Sequence, residues 1–335
     1  MKKIFRTLLI CMIVITITGC KKETKDSILN KFEKKVNNTN GYQIEAEMQL
    51  INNEDSYKYD VTVSYKKKNN YRVSLRNKIN NHEQIILKNE EGVYVLSPSL
   101  NKSFKFQSKW PYDNSQSYLI QSVLNDLKGD PNTSMKIVNN NYVFNSKVNY
   151  KNNKNLSYQE VIIDQNFNIK KVNVYDNEDM KQIIVKFNDV DMNAKFDDDY
   201  FALDENMKSN PSDDEQTEDT AEELDSAIYP MYLPDGTYLD TEKTVKKDKG
   251  SRIILTFSGK SPFMLIEETV TKEDDMVIVP TSGDIDLFEA GIAIVDDSSV
   301  SFINDNIEYY LVSTDISSNE LINVAKSMYV MPVSK

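Results

Sequence analysis

Few residues in this chain are of the types that enzymes use as nucleophiles or as ligands for soft metals. The chain has one histidine, His82, and two cysteines, Cys11 and Cys20. A Ser–His–Asp triad or a zinc site would have to use that one histidine. His82 follows Asn80 and Asn81 in a polar turn, where a site is hard to preorganise, so we expect it to be exposed to solvent. These residues argue against triad catalysis and soft-metal catalysis.

The acidic residues single out no site either. Asp197, Asp198 and Asp199 could bind Ca²⁺, but they lack the alternating spacing and the glycine of a calcium-binding loop, so we expect a solvated strand end. Glu90 and Glu91 lie in a predicted hairpin turn and are interpreted in the same way. Carboxylate pairs for acid–base catalysis could still come together from distant positions. We predict that the chain is not an enzyme and holds no metal and no cofactor.

Cys20 has a defined chemical role in the N-terminal sequence. Three basic residues precede the apolar run Thr7–Thr18, and Ile17-Thr18-Gly19-Cys20 places small residues before a thiol. This pattern is typical of a secretory signal peptide. With its cysteine it resembles a lipobox, in which the thiol receives a diacylglycerol and the chain is cut just before it. A transmembrane anchor is the alternative, but the run is shorter than the ~20 residues that span a bilayer. We predict a lipoprotein signal peptide over residues 1–19 and lipid attachment at Cys20, on the outer face of the cell membrane.

The negative charge of the chain is concentrated in one segment. The net charge is −12, and the ten acidic residues between Asp204 and Asp225 are opposed only by Lys208. The segment contains Pro211 and few large apolar residues, so we predict an extended acidic linker over residues 204–226. The remaining chain is close to neutral and lacks the clustered basic surface that nucleic-acid binding requires.

Residues 20–203 alternate between helical and strand patterns. Apolar residues recur at helical spacing from Ile28 to Val36 and again within Ser115–Lys128. Tyrosine and valine alternate with polar residues from Tyr57 to Lys66, which indicates a strand with one wet face. Further short strands follow both helical segments. We therefore predict an α+β fold, in which two helices cover the concave apolar face of a long curved antiparallel sheet.

Residues 227–335 form a second predicted unit, a small C-terminal α+β domain. The segment from Tyr229 to Gly236 contains two prolines and is interpreted as a docked extended segment and a turn. Seven strand patterns follow, among them Met276–Pro280. Ser317 and Glu320 have the spacing of a capping box at the start of a helix.

Trp110 is open to two interpretations. It follows the aromatic strand residues Phe104 and Phe106 and directly precedes Pro111 and the second helical segment. It could be an exposed aromatic anchor for a partner protein. We favour the alternative, in which its ring fills the junction between the sheet and the helix.

Leu96–Pro111 and the following Asn114–Leu119 come after a lipobox, a helix and a tyrosine-rich meander. In this order they resemble the LolA-like sporulation and germination lipoproteins, the YdcC/GerS-like family, over roughly Cys20–Leu203. Ala227–Pro332 resembles an uncharacterised domain of bacterial surface and anti-sigma proteins, through residues such as Tyr232-Leu233-Pro234. The resemblance implies a LolA-like half barrel, a curved sheet closed by helices around an apolar cavity.

The resemblance implies three functions, which the residues leave open. The first is a membrane-anchored, non-enzymatic binding partner in sporulation or germination, one that supports a cell-wall amidase in spore-cortex modification. In a sporulating cell its location would include the space between mother cell and forespore. The second is a lipid- or lipoprotein-binding carrier with an acyl chain in the half-barrel cavity, although an anchor on Cys20 opposes shuttling between membranes. The third is a regulator of an anti-sigma system, similar to RseB.

Overall fold

The computed structural model describes residues 23–52, 55–112, 114–208 and 224–328. The predicted signal peptide, Cys20 and most of the predicted acidic linker lie outside these residues. Within the described ranges, no helix is long and apolar enough to cross a bilayer.

The chain begins with helix α1 (Lys25–Asn38), whose apolar side faces the sheet. Ile28, Phe32 and Val36 are buried, as their helical spacing predicts. The helix is capped by Thr24, whose hydroxyl accepts a hydrogen bond from the Ser27 backbone N–H. Asp26 lies in the first turn, where its negative charge interacts favourably with the positive end of the helix dipole.

The first sheet is a meander that is extended by later strands. Its first half comprises β1 (Gly41–Asn52), β2 (Asp55–Lys66), β3 (Asn70–Asn77), β4 (Glu83–Asn89), β5 (Gly92–Ser97) and β6 (Lys102–Phe106). After helix α2 (Ile120–Gly129), its second half comprises β7 (Ser134–Val138), β8 (Asn141–Lys147), β9 (Leu156–Ile163), β10 (Ile169–Asp176) and β11 (Lys181–Asp191). Strand β11 pairs antiparallel with β1, which joins the two halves into one sheet.

Both helices lie on the concave side of this sheet, and their apolar residues join its core. The alternation in β2 sets which side chains point inward: Tyr57, Tyr59 and Val61 are buried, whereas Lys58 and Asp60 are exposed. The curved sheet with helices on one face agrees with the predicted LolA-like α+β half barrel.

Helix α2 begins five residues later than Ser115, the predicted start. The Ser115 N–H donates to the Asn149 carbonyl at 2.9 Å, and the Asn149 N–H donates to the Ser115 hydroxyl at 2.8 Å. The Gln116 N–H donates to the Ser122 hydroxyl at 2.8 Å. These bonds compete with the helical pattern and hold residues 115–119 against the loop before β9.

Helix α3 (Leu203–Asn206) occupies the first residues of the segment that the sequence assigns to the acidic linker. Leu203 and Met207 pack with Phe201 against the outer face of β4 and β5. The buried Asn206 accepts a hydrogen bond from Arg72 at 2.7 Å. The first residues of the predicted linker are therefore docked on the first sheet, because their apolar side chains are buried against β4 and β5.

The second sheet has seven strands, and one helix packs on it, which makes this unit a small α+β domain. The strands are β12 (Thr237–Lys246), β13 (Ser251–Gly259), β14 (Phe263–Thr269), β16 (Asp284–Phe288), β17 (Gly291–Asp296), β18 (Ser299–Asn304) and β19 (Ile307–Val312). Helix α4 (Ser318–Ser327) is capped by Ser317, which accepts from the Glu320 N–H at 3.3 Å, as the capping box predicts. Leu321, Val324 and Ala325 bury its apolar face in the domain core.

Strand β15 (Val277–Thr281) leaves this second unit and joins the first sheet. It pairs parallel with β6, with Val277 opposite Lys102 and Thr281 opposite Phe106. The sequence predicts the strand but assigns it to the second domain. The two units are therefore joined by a shared sheet edge as well as by the chain.

The two units also share a hydrophobic core. Ile285, Ile292, Ile294 and Ile303 of the second unit pack into the core of the first sheet. Two hydrogen bonds also join the units. The Tyr59 hydroxyl donates to the Glu289 carbonyl at 2.7 Å. The Ile292 N–H donates to the Gln84 side chain at 2.8 Å.

Gly291 allows the close approach of these two units. Its φ of +116° disfavours other residues, and an added Cβ would lie 2.4 Å from the Gln84 Oε1 atom. We expect Gly291→Ala to destabilise the chain by about 2 kcal/mol or more, because backbone strain and the clash act together. Urea unfolding followed by Trp110 fluorescence measures this. Gly129→Ala, at a helix end with nothing within 4 Å of its added Cβ, is the matched control and should be near neutral. Equal stability of the two variants would contradict this account of the interface.

Candidate functional site: an exposed aromatic segment on the second unit

His82 and Asp197–Asp199, which the sequence singled out for weighing, lie in different parts of the first unit: the turn between β3 and β4, and the segment after β11. His82 is half-buried rather than exposed. Its carbonyl accepts a hydrogen bond from the Asn77 N–H at the end of β3, and its N–H donates to the Asn80 side chain within the turn. Asp197, Asp198 and Asp199 are exposed. In the described part of the chain, no three His, Cys, Asp or Glu side chains are grouped so that they could hold a metal ion.

Trp110 is buried, which confirms the favoured interpretation. Its ring is 2% exposed and meets Tyr71 edge to face at 5.7 Å. Tyr71, Tyr65 and Tyr42 continue this contact as a row of rings across the sheet, with centroids 4.9 and 5.1 Å apart. The Lys88 ammonium group donates to the Trp110 carbonyl at 2.5 Å. The residue therefore fixes the chain between β6 and α2.

A different group of side chains is exposed on the second unit, and we call it the aromatic segment. It consists of Ile228, Tyr229, Met231 and Tyr232, which precede β12. Met231 is 78% exposed and Tyr229 is 46% exposed. Large apolar and aromatic side chains that stay in contact with water in one continuous stretch are typical of protein-binding surfaces.

The backbone of the aromatic segment is fixed on both sides. Ala227 and Leu233 pack into the core of the second unit. The Met231 N–H donates to the Ser327 carbonyl of α4 at 3.3 Å. The segment is therefore docked, as the sequence predicts for Tyr229–Gly236, while its large side chains point to solvent.

The two tyrosine rings are also held in place. The Tyr229 hydroxyl donates to Glu242 of β12 at 2.5 Å, and the Tyr232 hydroxyl donates to Glu320 of α4 at 2.5 Å. These carboxylate partners raise the pKa of both tyrosines, so both remain protonated donors at neutral pH. Rings that are already ordered lose less conformational entropy when a partner binds. The sequence contains this signal in Tyr229-Pro230-Met231-Tyr232, but spacing alone does not show that these side chains face outward.

Glu267 holds the start of the aromatic segment through hydrogen bonds to its backbone. Its side chain is buried in β14, and both of its carboxylate oxygens accept from the Ile228 N–H, at 3.1 and 3.0 Å. Burial raises the pKa of Glu267 to about 7; the Ile228 N–H opposes this shift and the nearby Glu242 adds to it.

The raised pKa of Glu267 makes stability depend on pH. Because the folded chain favours the protonated acid, this contribution to stability is complete below the ordinary pKa of 4.5 and is lost as the pH rises towards 7. We expect Glu267→Gln to be more stable than the parent chain at pH 8, by about 2 kcal/mol, and to show a smaller loss between pH 5 and pH 8. Urea unfolding at both pH values tests this, with the exposed Glu91→Gln as control. Parallel pH profiles for the parent and Glu267→Gln would show that Glu267 is not the titrating group.

The protein therefore has two units, each built on a β-sheet, and the second unit carries an aromatic segment whose backbone is fixed and whose side chains face solvent. The family described as "Sporulation protein YdcC-like" matches residues 1–201. "Sporulation protein YdcC" of Bacillus subtilis (strain 168) is 33% identical over 316 residues, which cover 94% of this chain and 93% of that protein. The chain belongs to the YdcC-like sporulation protein family, as the sequence resemblance predicts.

Several solved structures are also similar to this chain. A chain from the structure of the CwlD amidase from Clostridioides difficile in complex with the GerS lipoprotein matches at 18% identity, over 54% of this chain and 100% of that chain, with a TM-score of 0.22. The MucA/MucB complex of Pseudomonas aeruginosa matches at 10% identity, over 90% and 96% of the two chains, with a TM-score of 0.32. A LolA superfamily protein from Nitrosomonas europaea matches at 12% identity, over 55% and 99%, with a TM-score of 0.32.

Proposed function

We propose that this chain is a membrane-anchored, non-enzymatic lipoprotein that binds an envelope protein during sporulation. The diacylglyceryl anchor on Cys20 would hold the folded units at the outer face of the cell membrane. Its partner would be an enzyme of cell-wall modification, such as an amidase, whose activity or position the lipoprotein supports. Membership of the YdcC-like family supports the role in sporulation.

The aromatic segment is the observation on which binding of a partner rests. Tyr229, Met231 and Tyr232 combine large contact area with fixed geometry, and aromatic and methionine side chains are enriched at protein interfaces. The shared core of the two units adds to this, because it fixes the surface relative to the first sheet. Ile285 and Ile292 belong to that shared core.

The alternative function, an acyl-chain carrier, is less well supported, because side chains of the two helices already pack against the concave face of the sheet. Ile28 and Phe32 of α1 and Val123 and Leu127 of α2 belong to one core with the sheet and the second unit. An acyl chain would have to displace some of these side chains, which already bury each other's apolar surface. Native mass spectrometry of the chain tests this alternative: bound acyl species would favour it.

Co-purification from sporulating cells tests the proposed function. The full lipidated chain carries an affinity tag and is compared with Met231→Asp, which places a charge in the aromatic segment without touching the core. Met180→Asp is the matched control, because Met180 is 60% exposed on the turn between β10 and β11. We expect a cell-wall enzyme or another envelope protein to be recovered with the parent and the control and to be lost with Met231→Asp. Recovery of no envelope protein, or equal recovery with all three chains, would contradict the proposal.

A further inference from the structure

A second feature is a cleft between the two units, beside α4. We call it the domain cleft; its volume is about 320 Å³. Its walls come from the end of β1, the loop before β9, strands β10, β11 and β16, and helix α4. Its polar lining includes Asn152, Gln182, Asp286, Glu289, Asn319 and Asn323. A volume of this size is at the lower end of the range for small-molecule sites, roughly 300–1,000 Å³.

Side-chain amides dominate the polar lining of the domain cleft. Asn152 and Gln182 belong to the first unit, and Asn319 and Asn323 stand one turn apart on the exposed side of α4. An amide side chain can both donate and accept hydrogen bonds. Hydroxyl groups need both kinds of partner, so amides contributed by both units suit a ligand that carries many hydroxyls.

Glu289 supplies an independent sign that the domain cleft takes a ligand. Its side chain is 5% exposed, and its Oε2 atom is buried with no hydrogen-bond partner among the described residues. The Tyr59 hydroxyl beside it donates to the Glu289 backbone carbonyl instead of the carboxylate. Buried polar atoms are nearly always paired in folded proteins. A ligand hydroxyl or amine in the cleft would give this oxygen the donor that it lacks.

The charges in the domain cleft select among polar ligands. Glu289, Asp286 and Asp176 oppose an anion, while Lys154 and Lys326 offset much of their charge. Burial raises the pKa of Asp286, although Lys326 opposes this shift. Phosphates, carboxylates and acyl chains all fit this lining poorly.

We propose that the domain cleft binds a saccharide of mono- or disaccharide size, whose hydroxyl groups are held by Glu289, Asn319 and Asn323. The ring of Tyr150, which also lines the cleft, offers apolar surface to the C–H face of a sugar ring. This site is distinct from the aromatic segment, so the chain could present a bound saccharide and a protein partner from two surfaces. The proposal does not depend on the proposed function.

Saturation-transfer NMR and calorimetry test the saccharide site. The full chain, in a detergent without a sugar headgroup, is titrated with N-acetylglucosamine, its β-1,4-linked disaccharide, glucosamine and maltose. We expect saturable binding of at least one of these probes in the millimolar range or tighter. Glucosamine and N-acetylglucosamine distinguish a ligand amine from a neutral ligand as the donor to Glu289.

Three variants decide whether binding occurs in the domain cleft. Asn319→Ala and Asn323→Ala alter exposed positions of α4 and leave its buried face unchanged. Each should weaken binding about fivefold, the usual effect of losing one neutral hydrogen bond. Glu289→Gln should weaken it by at least as much. Asn132→Ala, an exposed asparagine after α2, is the matched control and should bind as the parent does. No saturable binding of any probe, or the same affinity in the parent and both α4 variants, would overturn the proposal.

Discussion

We expect Cys20→Ser to remove the chain from the membrane fraction or to leave its signal peptide uncleaved. Serine lacks the thiol that would receive the diacylglycerol, and lipid attachment is what would hold the chain at the membrane. A lipid anchor adds about 0.8 kcal/mol of membrane affinity for each buried CH₂ group. Losing it should therefore change retention from nearly complete to nearly absent. Fractionation and intact-mass measurement of the parent and the variant check this expectation.

Cys11→Ser is the matched control for Cys20→Ser. Cys11 lies within the predicted signal peptide, so its replacement should leave processing and membrane retention unchanged. A Cys20→Ser chain that is cleaved and retained like the parent would contradict the assignment of Cys20 as the lipid attachment site.

Trp110→Ala should cause a large loss of stability in the first unit. The ring is almost fully buried between β6 and α2 and ends the row of rings that runs through Tyr71, Tyr65 and Tyr42. Removing a buried tryptophan side chain costs about 3–5 kcal/mol, from lost burial and from the cavity that remains. Thermal unfolding followed by circular dichroism measures this loss, because the variant has no tryptophan left for fluorescence.

Tyr112→Ala is the matched control for Trp110→Ala, since it removes a neighbouring ring that is 53% exposed. It should cost about 1 kcal/mol or less, as surface substitutions usually do. If Trp110→Ala were no more destabilising than Tyr112→Ala, the ring would not fill the junction as described, and its role as an exposed anchor would have to be considered again.

Local sequence patterns predicted most of the elements of this fold. The alternation of buried tyrosine and valine with polar residues in β2 locates that strand, and the helical spacing from Ile28 to Val36 locates α1. The Ser317–Glu320 spacing locates the start of α4. These predictions succeed because period and capping depend on residues that are near each other in the chain.

The differences arise where distant contacts decide the structure. Strand β15 pairs with β6, far away in the sequence, and the pattern of a strand does not name its partner. The bonds between Ser115 and Asn149 delay the start of α2 in the same way. The domain cleft combines loop, strand and helix residues from both units. Sequence spacing contains no information about such an assembly, so neither Glu289 nor Asn323 could be identified beforehand.

The central claim is that an anchored chain binds an envelope protein through the aromatic segment. Site-specific photocrosslinking in sporulating cells tests it most directly, with a photoreactive residue at Met231 and, for comparison, at the exposed Asn132. We predict that Met231 yields one defined crosslink to an envelope protein, that Asn132 does not, and that the Met231 crosslink is lost when Cys20 is replaced by serine. The absence of a crosslink at Met231, or the same crosslinks from both positions, would contradict the claim.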